Sequence, residues 1–100
     1  MSVQAAFNPA YGTGVTVAPG VASASSTIGL GSKALVITNL SASVVSYVRV
    51  GAGSTTATTA DYPVLPGTQI ALSKAQDQNT VAYITASGTG SIHIMAGEGY

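Results

Sequence analysis

The chain has 100 residues, the length of one domain, and its formal net charge at pH 7 is zero. Only 6% of its residues are charged, against roughly 25% in ordinary soluble domains, and none is cysteine. This composition excludes disulfide and thiolate chemistry and a basic surface for nucleic acid, and no apolar run approaches the ~18 residues that span a bilayer. Low charge favours association, so we expect copies of the chain or a larger assembly to cover much of the surface, with a Ser/Thr-coated monomer as the alternative.

The start of the chain predicts an arm. Residues 1–12 contain two aromatic residues, Phe7 and Tyr11, and also Pro9 and Gly12, which are expected to rule out regular structure. The aromatic side chains either anchor the arm on a neighbouring protein or belong to a disordered terminus. No basic segment precedes an apolar run here, so no secretory signal is expected.

Residues 13–100 predict a single all-β domain of about eight short strands. Strands are expected at 14–18, 21–28, 34–39, 44–50, 68–72, 80–86 and 91–95. Turn residues recur about every ten positions, which is typical of an antiparallel β-sandwich with a jelly-roll-like arrangement. The edges of such sheets are often protected by Lys, and these strands contain none, which again favours an assembled state.

Alternation in the strand at 44–50 places Val48 on the core face and directs Tyr47 and Arg49 outward, toward solvent or a partner. The segment 51–60 has only small side chains and predicts a mobile loop or an edge ribbon. A stiffer stretch, residues 61–67, follows it.

The stretch at 61–67 contains two prolines, which exclude a central strand. Its Pro66-Gly67 pair predicts a type II turn with glycine at the position that needs a positive φ. Further along, 73–79 is the most polar segment and predicts a solvent loop, and 87–90 predicts a hairpin turn.

Catalytic and metal-binding residues are scarce. The acids Asp61, Asp77 and Glu98 and the single histidine, His93, are widely spaced, and no nucleophile or phosphate-loop motif is present. We therefore predict no catalytic, cofactor or metal site and no enzyme activity. His93 is expected to be an outward residue of the last strand.

Three segments together resemble small virion proteins of tailed bacteriophages, encoded among head genes. These segments are YVRVGAG with TTATTADYPVLPG (47–53 and 55–67), VAYITASGTGSIHI (81–94) and the closing AGEGY (96–100). The resemblance implies a capsid decoration (cement) protein, made in the host cytoplasm, that binds the outer capsid surface and bridges capsomers. Its implied partners are the major capsid protein and copies of itself, as a dimer or trimer, with no nucleic acid and no membrane.

On this hypothesis, the partner interface is expected at Phe7, Tyr11, Tyr47, Arg49, Asp61 and Tyr62. A head-fibre, tail or adaptor component of the virion is the alternative within the same class. A carbohydrate-binding module is an alternative of a different class, since sandwich domains bind sugars through exposed aromatic rings such as Tyr47, Tyr62 or Tyr83. Interface or core packing is the competing explanation of these rings.

Overall fold

The computed structural model describes residues 8–9, 12, 14–28, 33–74 and 77–98. Within these ranges, nine strands form two antiparallel sheets, and no residue is helical. The strands are β1 (Asn8–Pro9), β2 (Val15–Val17), β3 (Ala24–Thr27), β4 (Ala34–Asn39), β5 (Ser46–Gly51), β6 (Tyr62–Val64), β7 (Gln69–Ser73), β8 (Thr80–Thr85) and β9 (Ile92–Glu98). The predicted all-β class is confirmed. Nor does this part of the chain contain any helix with the length and apolarity to cross a bilayer.

The strand pairing is nested. Sheet A has the order β1-β9-β4-β7, with β2 following β1 along the same edge of β9, and sheet B has the order β3-β8-β5-β6. Outward from the β5–β6 connection, β5 pairs with β6, β4 with β7, β3 with β8 and β2 with β9. A long antiparallel ribbon is thus rolled into two facing sheets, which is the jelly-roll arrangement. Counting β1 and β2 as one interrupted edge gives eight strands, in agreement with the predicted number of about eight, although β6 lies outside the predicted strand ranges.

The core lies between the two sheets and is built from alternate residues of each strand. The most deeply buried apolar side chains are Leu35, Ile37, Val48, Val64, Val81, Ile92 and Ile94. In β5 the predicted alternation is confirmed, because Ser46 and Val48 are buried while Arg49 is exposed and Tyr47 is half-buried. Ile92 and Ile94 likewise face inward, and His93 lies on the outer face of sheet A.

Three local predictions are wrong. Pro9 does not prevent regular structure, because it pairs with Gly97 at the edge of sheet A, where a strand needs hydrogen bonds on one side only. Residues 87–90 do not close a hairpin, since they connect β8 in sheet B to β9 in sheet A. The segment 73–79 is not wholly a solvent loop, because Ser73 ends β7 and Lys74 is buried.

The Pro66-Gly67 turn is confirmed. Gly67 has φ +69°, and the Thr68 N–H donates to the Leu65 carbonyl over 3.2 Å, which closes the four-residue turn. The preceding strand β6 contains Pro63, and it lies at the edge of sheet B, where proline is tolerated.

A buried amide holds the two sheets together at one end. The Asn39 side chain, 1% exposed at the end of β4, donates to the carbonyls of Val44 (2.9 Å) and Val64 (2.8 Å) and accepts from the Ser41 N–H (2.9 Å). Because β4 belongs to sheet A and Val64 ends β6 in sheet B, this one side chain links both sheets and the β4–β5 loop. All of its hydrogen bonds are to backbone, which fixes the loop conformation.

Two neighbouring buried hydroxyl groups differ in their hydrogen bonds. Ser46 and Thr85 are register partners on β5 and β8, and both are at most 1% exposed. The Thr85 Oγ1 donates to the Gly88 carbonyl over 2.7 Å. The Ser46 hydroxyl is the one buried side-chain polar atom among the described residues that lacks a partner.

This difference predicts opposite effects of removing the two groups. Ser46→Ala is expected to leave stability unchanged or raise it by up to about 1 kcal/mol, because it removes a desolvated polar group that makes no bond. Thr85→Val is expected to lower stability by about 1 to 2 kcal/mol, because it leaves the Gly88 carbonyl without its donor. Urea unfolding of both variants measures the difference, and a Ser46→Ala variant as unstable as Thr85→Val would contradict it.

Candidate functional site

The outer face of sheet B carries three of the six predicted interface residues. On β5, Tyr47 and Arg49 point away from the core, as predicted, and Tyr47 is the register partner of Pro63 on β6. Tyr62 begins β6 at the edge of the sheet and is 52% exposed. Tyr47, Arg49 and Asp61 are therefore brought to the outer side of sheet B, whereas Tyr62, the register partner of the core residue Val48, lies on the inner side of the exposed edge strand. Phe7 and Tyr11 lie outside the described residues.

The two charged members of this group pair with each other. The Arg49 Nε and Nη2 atoms lie 2.8 and 2.7 Å from Oδ1 of Asp61. The other carboxylate oxygen, Oδ2, accepts from the Thr58 N–H over 2.7 Å. The Thr58 N–H, and then the Arg49 guanidinium, hold the pKa of the Asp61 carboxyl below its usual value, although desolvation acts in the opposite direction. Both charges are thus neutralised within the chain.

The β5–β6 loop is folded back over sheet B rather than projecting as the predicted mobile loop or edge ribbon. The Gly53 N–H donates to Oδ1 of Asn79 just before β8 (3.2 Å), and the Ala57 N–H donates to Oγ of Ser23 just before β3 (2.8 Å). Ala57 is only 2% exposed. With Asp61 bound to Arg49 on the outer face of β5, the loop is fastened at three points across the sheet.

The contacts of Asp61 with Arg49 and Thr58 predict that removing its carboxylate has a small, pH-dependent effect on stability. Asp61→Ala is expected to speed hydrogen exchange at the Ala57 amide and to lower stability by less than about 1 kcal/mol at pH 7, since exposed ion pairs contribute little. Because folding lowers the pKa of Asp61, its contribution exists above the unfolded-state pKa and is lost as the pH falls through the folded-state pKa.

The difference in the free energy of unfolding between wild type and Asp61→Ala should therefore become smaller at acid pH. Urea unfolding at neutral and acid pH, with hydrogen exchange at each, measures this. Asp77→Ala, which removes an exposed acid elsewhere, is the matched control. Unchanged exchange at Ala57 in the Asp61 variant would show that the ion pair does not hold the loop.

A shallow pocket opens beside Tyr47. It has a volume of about 250 Å³ and is lined by Ser43, Val44, Val45, Tyr47, Ala86 and Ser87. The lining offers one tyrosine ring, apolar side chains and two serine hydroxyl groups, and no charged residue. Tyr83, the third tyrosine considered for sugar binding, is 5% exposed in the core, and its hydroxyl bonds Oγ of Ser26 over 2.8 Å. Core packing is confirmed for this ring, which excludes it from a binding surface.

His93 packs against backbone. A Cβ at Gly14 would lie 2.6 Å from its Nε2 atom, so the ring lies closely over this glycine on the outer face of sheet A. In the described part of the chain, no three residues among His, Asp and Glu converge on a point that could hold a metal ion.

Four loops meet at one end of the sandwich, which we call the charge-free pole: residues 18–23, 40–45, 65–68 and 86–91. Backbone hydrogen bonds fasten the loops to one another. They join Leu40 N to Ser91 O (2.8 Å), Gly67 N to Ser41 O (3.1 Å) and Gly90 N to Pro19 O (2.8 Å). None of the four loops contains Asp, Glu, Lys or Arg.

The charge-free pole exposes apolar side chains. Among the described residues, four large apolar side chains are more than half exposed, and three of them are here: Val21 (64%), Leu40 (55%) and Leu65 (55%). These residues were not predicted as a surface, because Val21 was assigned to the strand at 21–28 and Leu40 and Leu65 lie in segments with turn residues. The available signal was the lack of any charged residue in all four turns.

The other end of the sandwich carries the remaining charges. Lys33 precedes β4, Lys74 follows β7, Asp77 precedes β8, and Glu98 is the last residue of β9. Antiparallel pairing places these strand ends together, as the register of Ala34 with both Ser73 and Gly97 shows. The molecule therefore has one charged and one uncharged pole, with the Arg49–Asp61 pair between them.

Comparisons with known proteins add no family assignment. No family model matches the sequence, and no curated protein matches it. The likeness to small virion proteins accordingly rests on the sequence segments alone.

Proposed function

We propose that this chain is a non-enzymatic virion protein that decorates the outer capsid surface and stabilises the shell by bridging capsomers. The observation that carries the proposal is the surface: 6% of residues are charged, Arg49 and Asp61 neutralise each other, and apolar side chains are exposed at an uncharged pole. Such a surface protects a free monomer poorly from aggregation and is suited to burial in an assembly. The resemblance of about residues 35–100 to small phage head proteins supports the same role.

In this proposal the chain adds contacts and no chemistry. The candidate contacts with the major capsid protein are Tyr47 on the outer face of sheet B, Tyr62 at the exposed edge of that sheet, and the predicted arm aromatics Phe7 and Tyr11. Tyrosine is enriched at the energetic centres of interfaces. Arg49 and Asp61 act within the protein, by holding the β5–β6 loop against the sheet so that this side presents a fixed shape.

Copy number is the test of this function. Quantitative mass spectrometry on purified particles from the source of this chain is expected to give a copy number comparable to that of the major shell protein. A handful of copies per particle would instead favour the head-fibre, tail or adaptor alternative. Absence from the particles would overturn a virion role.

Substitution of an exposed aromatic residue tests the contact side. Tyr62→Ala is expected to weaken binding to particles at least about tenfold without lowering stability, because Tyr62 is half exposed and such anchors contribute about 2 kcal/mol to interfaces. Thr27→Ala, at an exposed position on the opposite edge strand of sheet B, is the control. Equal binding of the two variants would remove Tyr62 from the interface.

A carbohydrate-binding module is the second candidate, favoured by the pocket beside Tyr47. An aromatic face next to the Ser43 and Ser87 hydroxyl groups is a combination that sugar sites use. Retention on immobilised glycans that is lost in Tyr47→Ala would support this function. No retention on a broad glycan array would exclude it.

A further inference from the structure

We propose that the charge-free pole is a self-association surface through which two copies of this chain pair head to head. The proposal concerns the isolated chain and does not depend on a role in a virion. It assigns a partner to Val21, Leu40 and Leu65, which lie in the loops at one end of the sandwich, outside the strands.

The two ends of the molecule differ in the free energy that is needed to bury them. Covering the charge-free pole removes apolar side chains from water and desolvates no charge. Covering the opposite pole would take the exposed side chains of Lys33 and Asp77 out of water, and burial of charge is strongly unfavourable unless it is compensated. The charge-free pole is therefore the end that association covers most readily.

The chemistry of the charge-free pole favours a second copy of the same chain as its partner. An uncharged apolar surface is complementary to itself, because two copies bring no like charges together. In a head-to-tail contact, the apolar pole of one copy would instead desolvate the charged pole of the next. Head-to-head contact is thus favoured, and it closes after two copies because the same patch serves both partners. This arrangement predicts a dimer and not a growing filament.

The surface of the charge-free pole is already formed in a single copy of the chain. The loop carrying Leu40 is bonded to the loops that carry Ser91 and Gly67, and the Asn39 amide fixes its backbone from below. Pairing therefore orders little additional chain, which lowers the entropic cost of association.

We expect a weak dimer. The contact area that four loop tips can form is small compared with the roughly 800 Å² that each partner buries in a standard interface. We therefore expect a dissociation constant in the micromolar range. Sedimentation equilibrium of the full chain across the micromolar range and up to about 1 mM tests this directly. The wild-type chain should approach the mass of a dimer as concentration rises.

The decisive variant is Leu40→Asp with Leu65→Asp, which places carboxylates in the centre of the contact. Its dissociation constant should rise at least about tenfold, because both copies then bring like charges to a desolvated surface. The matched control, Ala52→Asp with Ser54→Asp, adds the same charge at exposed loop positions after β5 and should dimerise as the wild type does. Circular dichroism and thermal unfolding establish that both variants fold.

Spin labelling gives a readout that does not depend on the charged variants. The chain has no cysteine, so Leu65→Cys and Ala52→Cys each provide a single labelling site. A head-to-head dimer requires a shorter intermolecular distance between Leu65→Cys labels than between Ala52→Cys labels. The reverse order of distances, a monomer at every concentration, or an oligomer that the Leu40/Leu65 variant leaves intact would each overturn the proposal.

Discussion

Replacing Ile37 with Ala is expected to lower the free energy of unfolding by about 4 kcal/mol, near the upper end of the range for such substitutions in protein cores. Ile37 is fully buried in the middle of β4 and has register partners on both sides, Ile94 on β9 and Ile70 on β7. The two neighbouring strands hold the backbone in place, so the cavity cannot collapse easily. For a domain of this size, the melting temperature should fall by about 20 °C.

Two further variants set the scale for this result. Ile37→Val removes a single methyl group at the same site and should cost about 1 kcal/mol. Ile84→Ala makes the same change as Ile37→Ala on the outer face of sheet B, where Ile84 is half-buried, and should cost clearly less. Thermal and urea unfolding measure all three. An equal loss at Ile84 and Ile37 would mean that the outer face of sheet B is packed as tightly as the core.

Asn39→Ala is expected to cost about 3 kcal/mol, a large effect for a polar residue. The substitution removes three hydrogen bonds of the side chain, each with a net contribution near 1 kcal/mol. It also leaves the Val64 carbonyl without the buried bond that it accepts from this amide. Domains of this kind are stable by only about 5–15 kcal/mol, so the variant should be visibly less stable at room temperature.

Asn79→Ala is the matched control for this prediction. Asn79 is half-buried at the opposite pole, and its Oδ1 atom accepts from the Gly53 N–H and the Thr80 hydroxyl, both over 3.2 Å. These longer and more exposed bonds predict a loss of about 1 kcal/mol. Urea unfolding compares the two variants, and similar losses would show that linking the two sheets gives Asn39 no special importance.

Local pattern predicted the individual strands well. The apolar run at 34–39 coincides with β4, and alternation placed Val48 inward and Arg49 outward. These features depend on side-chain period and turn residues, which a single sequence displays directly. The turn at Gly67 was predictable for the same reason, because it depends only on the local backbone conformation.

Pairing between distant segments was not predictable in the same way. The sequence at 87–90 has the composition of a hairpin turn, yet it crosses between the sheets, because β8 finds better partners in β3 and β5. Lys74 is buried through the rolling of the ribbon, which no local pattern reports. The sandwich class could be predicted, whereas the register and the sheet assignment depended on contacts across the chain.

The candidate site shows the same division. Alternation predicted that Tyr47 and Arg49 face outward, and they do, whereas Tyr62 lies on the core-facing side of the edge strand β6. The pairing of Arg49 with Asp61 was missed, because a separation of twelve residues has no periodic signature. The burial of Ala57 was missed because small side chains alone do not predict whether a loop extends or folds back.

The nested strand pairing has a consequence for how the chain acquires its fold. The pairs β5–β6, β4–β7, β3–β8 and β2–β9 join segments at increasing separation, and Val15 meets Ile94 from almost the other end of the chain. Closing such distances costs entropy before contacts repay it, so we expect slow folding that starts at the β5–β6 ribbon and proceeds outward. During synthesis, the apolar strand β4 must wait for β7 and β9 to leave the ribosome. Over that interval a sequence with so few charges is most exposed to aggregation, and the rate of translation of its last third should influence the yield of folded protein.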